Sequence, residues 1–238
     1  MGTSTSTIQN AHGSSDALDQ MQALGRFALK TVRPHHTIGL GTGRAATAFI
    51  NALGQSLIAV RGVPTSRVSE ELARSLGIEI VALADAPKID IDFDGADEVD
   101  PRLNLIKGYG GALVREKIVA ASSRKVVILV GEEKLVRKLG ARGSLPVEVV
   151  PFAAPLVIRR VAAFGLRPAV RRKDGADFIT DNGNLILDCA VKEIHNPAKL
   201  DKELLAIPGV VGTGIFAAIA TTVLVAMKSG EIKTMHPR

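Results

Sequence analysis

Between residues 94 and 117 the sequence reads DGADEVDPRLNLIKGYGGALVREK. Asp94 closes the strand-like run IDIDFD (89–94) and Asp97 follows it, at the C-terminal end where open α/β sheets place ligands. Lys107 stands at the leading edge of the glycine-rich stretch KGYGGA, and Glu116 follows it near the start of a helical pattern. An Asx-type turn with solvated acids is the plain alternative for Asp94 and Asp97. Two acids, a lysine and a glutamate around a Gly-rich run nevertheless suit proton abstraction beside a carbonyl. A glutamate with an unperturbed pKa of about 4.3 is ionised at neutral pH and can accept such a proton.

A second segment, GLGTGRAATAF (39–49), is a Gly-rich turn between a strand and a helix. Glycine removes the Cβ that would hold backbone amides away from a phosphate, and a helix N-terminus adds partial positive charge. The segment lacks the third-glycine spacing of a dinucleotide site and the GK[ST] of a nucleotide P-loop. A tight strand–helix turn accounts for it equally well. A third, GEEKL (131–135), puts Lys134 at the end of an apolar strand; taken alone it reads as a surface lysine.

The elements that must position these residues alternate. TIGL (37–40), the IAVRGVPTS stretch, IEIVAL (78–83), IDIDFD and KVVILV (125–130) read as strands. Residues 16–32, the stretch opened by RAATAFINAL, the run from Ser66 to Leu76, and 112–122 read as helices, with Asp16 and Ser66 as N-caps and Gly77 as a stop. Strand–helix alternation predicts a parallel sheet covered on both faces. From about residue 144, short strands (PVEVV, RPAVRR, DFIT, NLILDCAV) flank helices at 153–164 and 197–206, which predicts a small α+β insert with an antiparallel sheet. A final hairpin turning at Gly230 is expected to rejoin the main sheet.

Composition narrows the function classes. With 3% aromatic residues and no Trp, the core must be built from Val, Ile, Leu and Ala, as buried parallel strands prefer. The net charge of +6 is interleaved with acids and carries no aromatic partners, which argues against nucleic acid and for an anionic small molecule or a solvated cationic surface. A single cysteine, Cys189 in NLILDCAV, excludes an internal disulfide and reads as a buried, inert thiol. No His or Cys cluster stands at metal-ligand spacing. Residues 1–15 are polar, read as disordered, and show no secretory signal; the apolar stretch Ile215–Met227 is too short for a bilayer. A cytoplasmic chain with no membrane partner is expected.

The string DGADEVDPRLNLIKGYGGALVREKIVA resembles the signature of type A ribose-5-phosphate isomerases. GLGTG, VPTS (63–66), SLPVEVVPFA (144–153) and IPGVVGTGIF (207–216) resemble further family segments in the same order, so the likeness covers roughly residues 20–235. It implies a Rossmann-like domain (16–143 with 215–238) carrying a ferredoxin-like α+β domain (144–214). It implies aldose–ketose isomerisation of ribose 5-phosphate and ribulose 5-phosphate without metal or organic cofactor, and a homodimer or homotetramer. Glu116 would be the general base, with Lys107, Asp94 and Asp97 holding the sugar oxygens. Gly41, Thr42, Gly43, Arg44, Ala45, Gly95, Ala96, Gly108, Tyr109, Gly110 and Lys134 would contribute to the substrate site.

Three departures stand out. The family's phosphate turn usually reads GTGST where this chain has GTGRA, so two hydroxyls are exchanged for a guanidinium able to fork onto a phosphate. Tyr109 stands where the family usually has glycine, and no lysine occurs near Met21 or Gln22. A non-catalytic sugar-phosphate sensor of related fold is the alternative reading; no pattern for a DNA-binding helix-turn-helix precedes residue 37, and the candidate base is intact.

Overall fold

The computed structural model describes residues 18–86 and 88–237. The expected Asp16 cap and the segment 1–15 lie outside them. Helix α1 (18–28) ends in the 3-10 turn Leu29–Thr31. Strand β1 (Thr37–Leu40) leads into α2 (Arg44–Gln55), then β2 (Arg61–Pro64), α3 (Arg67–Ser75) and the short β3 (Glu79–Ile80). Next come β4 (Ile91–Gly95), β5 (Glu98–Val99), β6 (Leu105–Ile106), α4 (Leu113–Ala121) and β7 (Val126–Gly131). The middle of the chain holds β8 (Ser144–Val149), α5 (Ala154–Ala162), β9 (Arg167–Val170), β10 (Arg172–Lys173), β11 (Ala176–Asp177), β12 (Leu185–Ala190), α6 (Pro197–Leu205) and β13 (Val210–Thr213). Strands β14 (Ile215–Phe216), β15 (Thr222–Ala226) and β16 (Ile232–Met235) come last.

The main sheet has the order β16-β15-β7-β4-β1-β2-β3 and is parallel apart from β16. The chain winds outward from β1 to β3, then restarts at β4 and winds the other way, so the order reverses between β1 and β4. Crevices at the C-terminal ends of strands beside such a reversal are where open α/β sheets bind ligands. The central strands are apolar runs buried on both faces, as helices on either side require. Helix α2 sets Ala46, Phe49, Ile50 and Leu53 on one stripe, and Phe49 stacks on Phe93 of β4 at 4.0 Å between ring centroids. Ser66 caps α3 reciprocally with Ser69, and Gly77 at φ 74° ends it.

Strand β4 corrects a natural reading of its pattern. Alternating Ile/Phe and Asp suggests one wet face, yet Asp92 and Asp94 are both buried. The polar face of β4 is covered by the rest of the molecule rather than open to solvent.

The second unit follows β8-α5-β9-β12-α6-β13, with sheet order β13-β8-β12-β9 and every pair antiparallel, a ferredoxin-like arrangement. Its core joins Leu145, Val147, Val149, Val157, Leu187 and Cys189. Burial pushes the Cys189 thiol up to about 12, so it stays protonated and inert. DFIT, expected as a strand, gives only the edge of the β10–β11 hairpin and a single bridge from Ile179 to Leu185. IEIVAL shrinks likewise to the two residues of β3. A three-stranded sheet, β14-β6-β5, joins the two units and is not legible from residue patterns. No helix among the described residues is long and apolar enough to cross a membrane.

Candidate active site

Strand β6 ends at Ile106, and the three-stranded sheet delivers the next residue, Lys107, into the molecule's interior. The Lys107 backbone N–H donates to Gly214 O at 2.9 Å, which ties the start of the Gly-rich loop to the chain entering β14. The Lys107 ammonium is 3% exposed. It lies 2.9 Å from Asp94 Oδ2 and 3.4 Å from Glu116 Oε2, and donates to Gly95 O at 2.5 Å. Burial works to lower its pKa, but Asp94 and Glu116 outweigh that and hold it above the ordinary lysine value.

Asp94 comes from the C-terminal end of β4 and lies beneath the site. Its Oδ1 accepts from Thr42 N at 3.1 Å and Gly95 N at 2.7 Å, fastening the β1 and β4 loops together. Burial pushes its carboxyl up, while Lys107 and those two amides draw it back. Gly41 is obligatory here, because a Cβ would run into the Asp94 carboxylate and backbone.

Glu116 belongs to the first turn of α4 and is 4% exposed. Its carboxyl is pushed up to about 8, first by burial and then by Asp94, with Lys107 opposing. The expectation of an ordinary, fully ionised glutamate is therefore corrected. Burial tunes the group to the pH range where a base is most effective.

A cavity of about 250 Å³ opens above these groups. Asp97, Lys107 and Glu116 line it, as do Thr42, Gly43, Arg44, Ala45, Gly95, Ala96, Gly108, Gly110 and Lys134. Gly43 precedes α2 at φ 101°, with no side chain capping the helix. The first N–H groups of α2 are thus left for an anion, with Arg44 beside them. Lys134, in the 3-10 turn Glu132–Lys134 after β7, also lines the cavity.

Three expected residues do not line the cavity. Asp94 and Gly41 lie below it. Tyr109 turns outward: its hydroxyl donates to Ser144 O at 3.2 Å, and only its backbone N–H reaches the site, bonding Asp97 Oδ2 at 3.0 Å. Burial and the neighbouring Glu98 raise its phenol to about 12, so it remains neutral.

Residue patterns also missed several contributors. Thr42 Oγ1 bonds Ser66 Oγ at 2.7 Å and Thr65 Oγ1 at 2.9 Å, so consecutive hydroxyls at the end of β2 orient the glycine turn that opens α2. Met21 of α1 and Glu133 reach the cavity wall. From the small unit, Arg171 forks onto Asp188 (2.8 and 2.6 Å) and donates to the carbonyls of Gly108 (2.9 Å) and Tyr109 (3.1 Å). Phe178 packs over Gly111, whose φ of 90° and contact with that ring exclude a side chain. The Gly-rich loop is therefore held from both units. Among the described residues, no group of three or more His, Cys, Asp or Glu side chains is placed to hold a metal.

An uncapped helix N-terminus facing a buried carboxylate–lysine cluster, at the switch point of a doubly wound sheet, defines a class: α/β proteins that anchor a small anion and move a proton beside it. Comparison with known proteins narrows that class. The profile of the ribose 5-phosphate isomerase A (phosphoriboisomerase A) family matches residues 61–230. The chain is 47% identical over 222 residues to the ribose-5-phosphate isomerase A of Roseiflexus sp. strain RS-1, covering 91% of this chain and 95% of that one. With that of Thermococcus kodakarensis it shares 44% over 227 residues, covering 92% and 98%. The ribose 5-phosphate isomerase A structure from Methanocaldococcus jannaschii superposes with a TM-score of 0.87 at 42% identity, covering 92% of this chain and 98% of that one. A D-ribose-5-phosphate isomerase in complex with phospho-erythronic acid gives 0.89 at 40% identity, with the same coverage. The chain belongs to the ribose 5-phosphate isomerase A family.

Proposed function

We propose that this chain interconverts D-ribose 5-phosphate and D-ribulose 5-phosphate through an enediolate, with Glu116 as the base. The observation that carries this reading is a buried glutamate tuned to about 8, set 3.4 Å from a lysine that two carboxylates keep charged. The substrate's phosphate sits on the first N–H groups of α2, between Arg44 and Lys134. Its carbonyl end then reaches Glu116. The Glu116 carboxylate takes the proton from C2 of the open-chain aldose, and the C–H electron pair becomes the enediolate double bond. Lys107 and the loop amides stabilise the oxygen on which negative charge grows, and Asp97 orients a hydroxyl. The hydroxyl proton passes from O2 to O1, and the same carboxyl returns the carbon-bound proton to C1, giving the ketose. Asp94 touches no substrate; it keeps Lys107 charged and ties the two loops. Removing one donor to such an oxyanion typically costs roughly 3 kcal/mol.

Sugar phosphate is the small-molecule partner in this reading, and the family likeness supports a cytoplasmic homodimer or homotetramer, which light scattering would size. The catalytic unit comprises residues 16–143 with 215–238, and the small unit, 144–214, buttresses the loop. The test is to follow ketose formation from ribose 5-phosphate with purified protein. Glu116→Gln should lower turnover by about 10²–10⁴-fold while substrate still binds. A variant that kept more than about a tenth of wild-type turnover would remove Glu116 as the base.

A further inference from the structure

A second, larger cavity of about 580 Å³ lies at the opposite end of the main sheet, below the N-terminal ends of β1, β4 and β7. Its rim carries Lys30, Arg33, His36, Arg124, Lys125 and His236, drawn from three separate stretches of chain. Its apolar floor includes Ile91, Val127 and Leu224. The single acid in the lining is Asp90, and its Oδ2 is already taken by Thr37 N at 2.9 Å. Among the described residues none of the four Lys and Arg side chains on the rim pairs with a carboxylate, whereas other cations are paired, as in Arg74–Glu70 and Lys138–Glu193. Four permanent positive charges around one concavity repel each other, and an anion relieves that repulsion.

The rim is also held in place before any ligand arrives. Arg124 N donates to Ile89 O at 2.9 Å and Lys125 O accepts from Asp92 N at 2.8 Å, which fixes that turn against β4. Lys30 lies over the Phe27 ring, 4.6 Å from its centroid. Arg33 and His36 close a turn in which Arg33 N donates to His36 Nδ1 at 3.3 Å. An extended polyanion such as nucleic acid calls for a basic stripe with several stacking aromatics; this surface is instead a single concavity whose one phenyl ring, Phe27, already carries Lys30.

We infer that this cavity binds a small polyvalent phosphate, separate from the sugar-phosphate site. Several phosphate groups engage the rim, and an organic portion, where present, lies on the floor. Isothermal titration with tripolyphosphate and with ATP tests this, at low salt and with saturating ribose 5-phosphate to keep the sugar-phosphate site filled. Binding is expected under those conditions, weakening as salt rises. ATP binding tighter than tripolyphosphate would show that the floor takes the organic portion, and equal binding that the rim alone is used. Arg124→Glu should weaken binding at least tenfold, while Lys202→Glu, an equal change of charge on the exposed side of α6, should not. Absence of binding, displacement by ribose 5-phosphate, or equal loss in the two variants would overturn the inference. Because wild-type isomerase activity is measured separately, failure here leaves the proposed function standing.

Discussion

A carboxylate acts as a base only when ionised, so the raised pKa of Glu116 has a kinetic signature. With the group near 8 in the free enzyme, kcat/KM should climb with pH to a midpoint close to 8 and then level off. Asp94→Asn should move that midpoint down. It removes a carboxylate that pushes Glu116 up and that competes with Glu116 for Lys107. Initial rates at substrate far below KM check this, and an unmoved midpoint would mean that burial alone tunes the base. In the proposed reading, Arg44 serves the other end of the substrate. It is exposed and stands first in α2, beside amides that no side chain caps. Arg44→Ala should raise KM for ribose 5-phosphate roughly tenfold with a smaller effect on kcat, since charge-assisted bonds contribute roughly 1.5–3 kcal/mol each before solvent screening reduces them. Placing Ser and Thr at 44 and 45 should recover much of that loss. An unchanged KM at low salt would show that the guanidinium does not hold the phosphate.

Between elements, the decisive contact is the reach of the small unit's Arg171 onto the Gly-rich loop. Its guanidinium is aimed by Asp188 and has an N–H to spare for two loop carbonyls, so one side chain sets the position of residues 108 and 109. Lys107, immediately before them, and Glu116, in the helix that follows, depend on that position. Misplacement of catalytic groups by about 1 Å can cost on the order of 10²-fold. Arg171→Ala should therefore lower kcat by about 10- to 100-fold while changing KM less, and Arg171→Lys should restore only part, because an ammonium cannot reproduce the fork. Wild-type kcat in Arg171→Ala, with kcat and KM measured separately, would mean that the Phe178 contact and β6 suffice to hold the loop.

For the molecule as a whole, the site carries a stability cost centred on Asp92. This carboxyl is wholly buried one turn of the pleat before Asp94, and neither oxygen has a hydrogen-bond partner. Burial first, and Asp94 second, raise its pKa well above the ordinary aspartate value. A group whose pKa is higher folded than unfolded keeps a proton that the unfolded chain has lost. Stability therefore falls as pH rises from about 4 towards the folded value. Asp92→Ala should stabilise the fold by about 1–3 kcal/mol at pH 8, the usual cost of an unmet buried polar group, and by less at pH 4. Urea unfolding at both pH values reads it. A variant less stable than wild type at pH 8 would show that Asp92 is satisfied by something other than protein groups.

How far residues alone go is clearest from particular segments. KVVILV, TIGL and the capped run from Ser66 announce a covered parallel sheet, because a strand buried on both faces must be apolar throughout and a helix start needs its hydroxyl. The glycine turn, Glu116 and Lys107 were legible from residue type, since their chemistry is local. Other features were not. Strands of two residues, such as β5, β6 and β14, carry no periodicity, and the sheet that delivers Lys107 is completed only when β14, more than a hundred residues away, pairs with β6. The outward turn of Tyr109, the hydroxyls of Thr65 and Ser66 beneath Thr42, and the grip of Arg171 likewise depend on which loops meet. The pKa of Glu116 is the sharpest case. Its residue type sets a value near 4.3. Only the tertiary structure, by withdrawing water and setting Asp94 and Lys107 beside it, decides that the carboxyl titrates near 8.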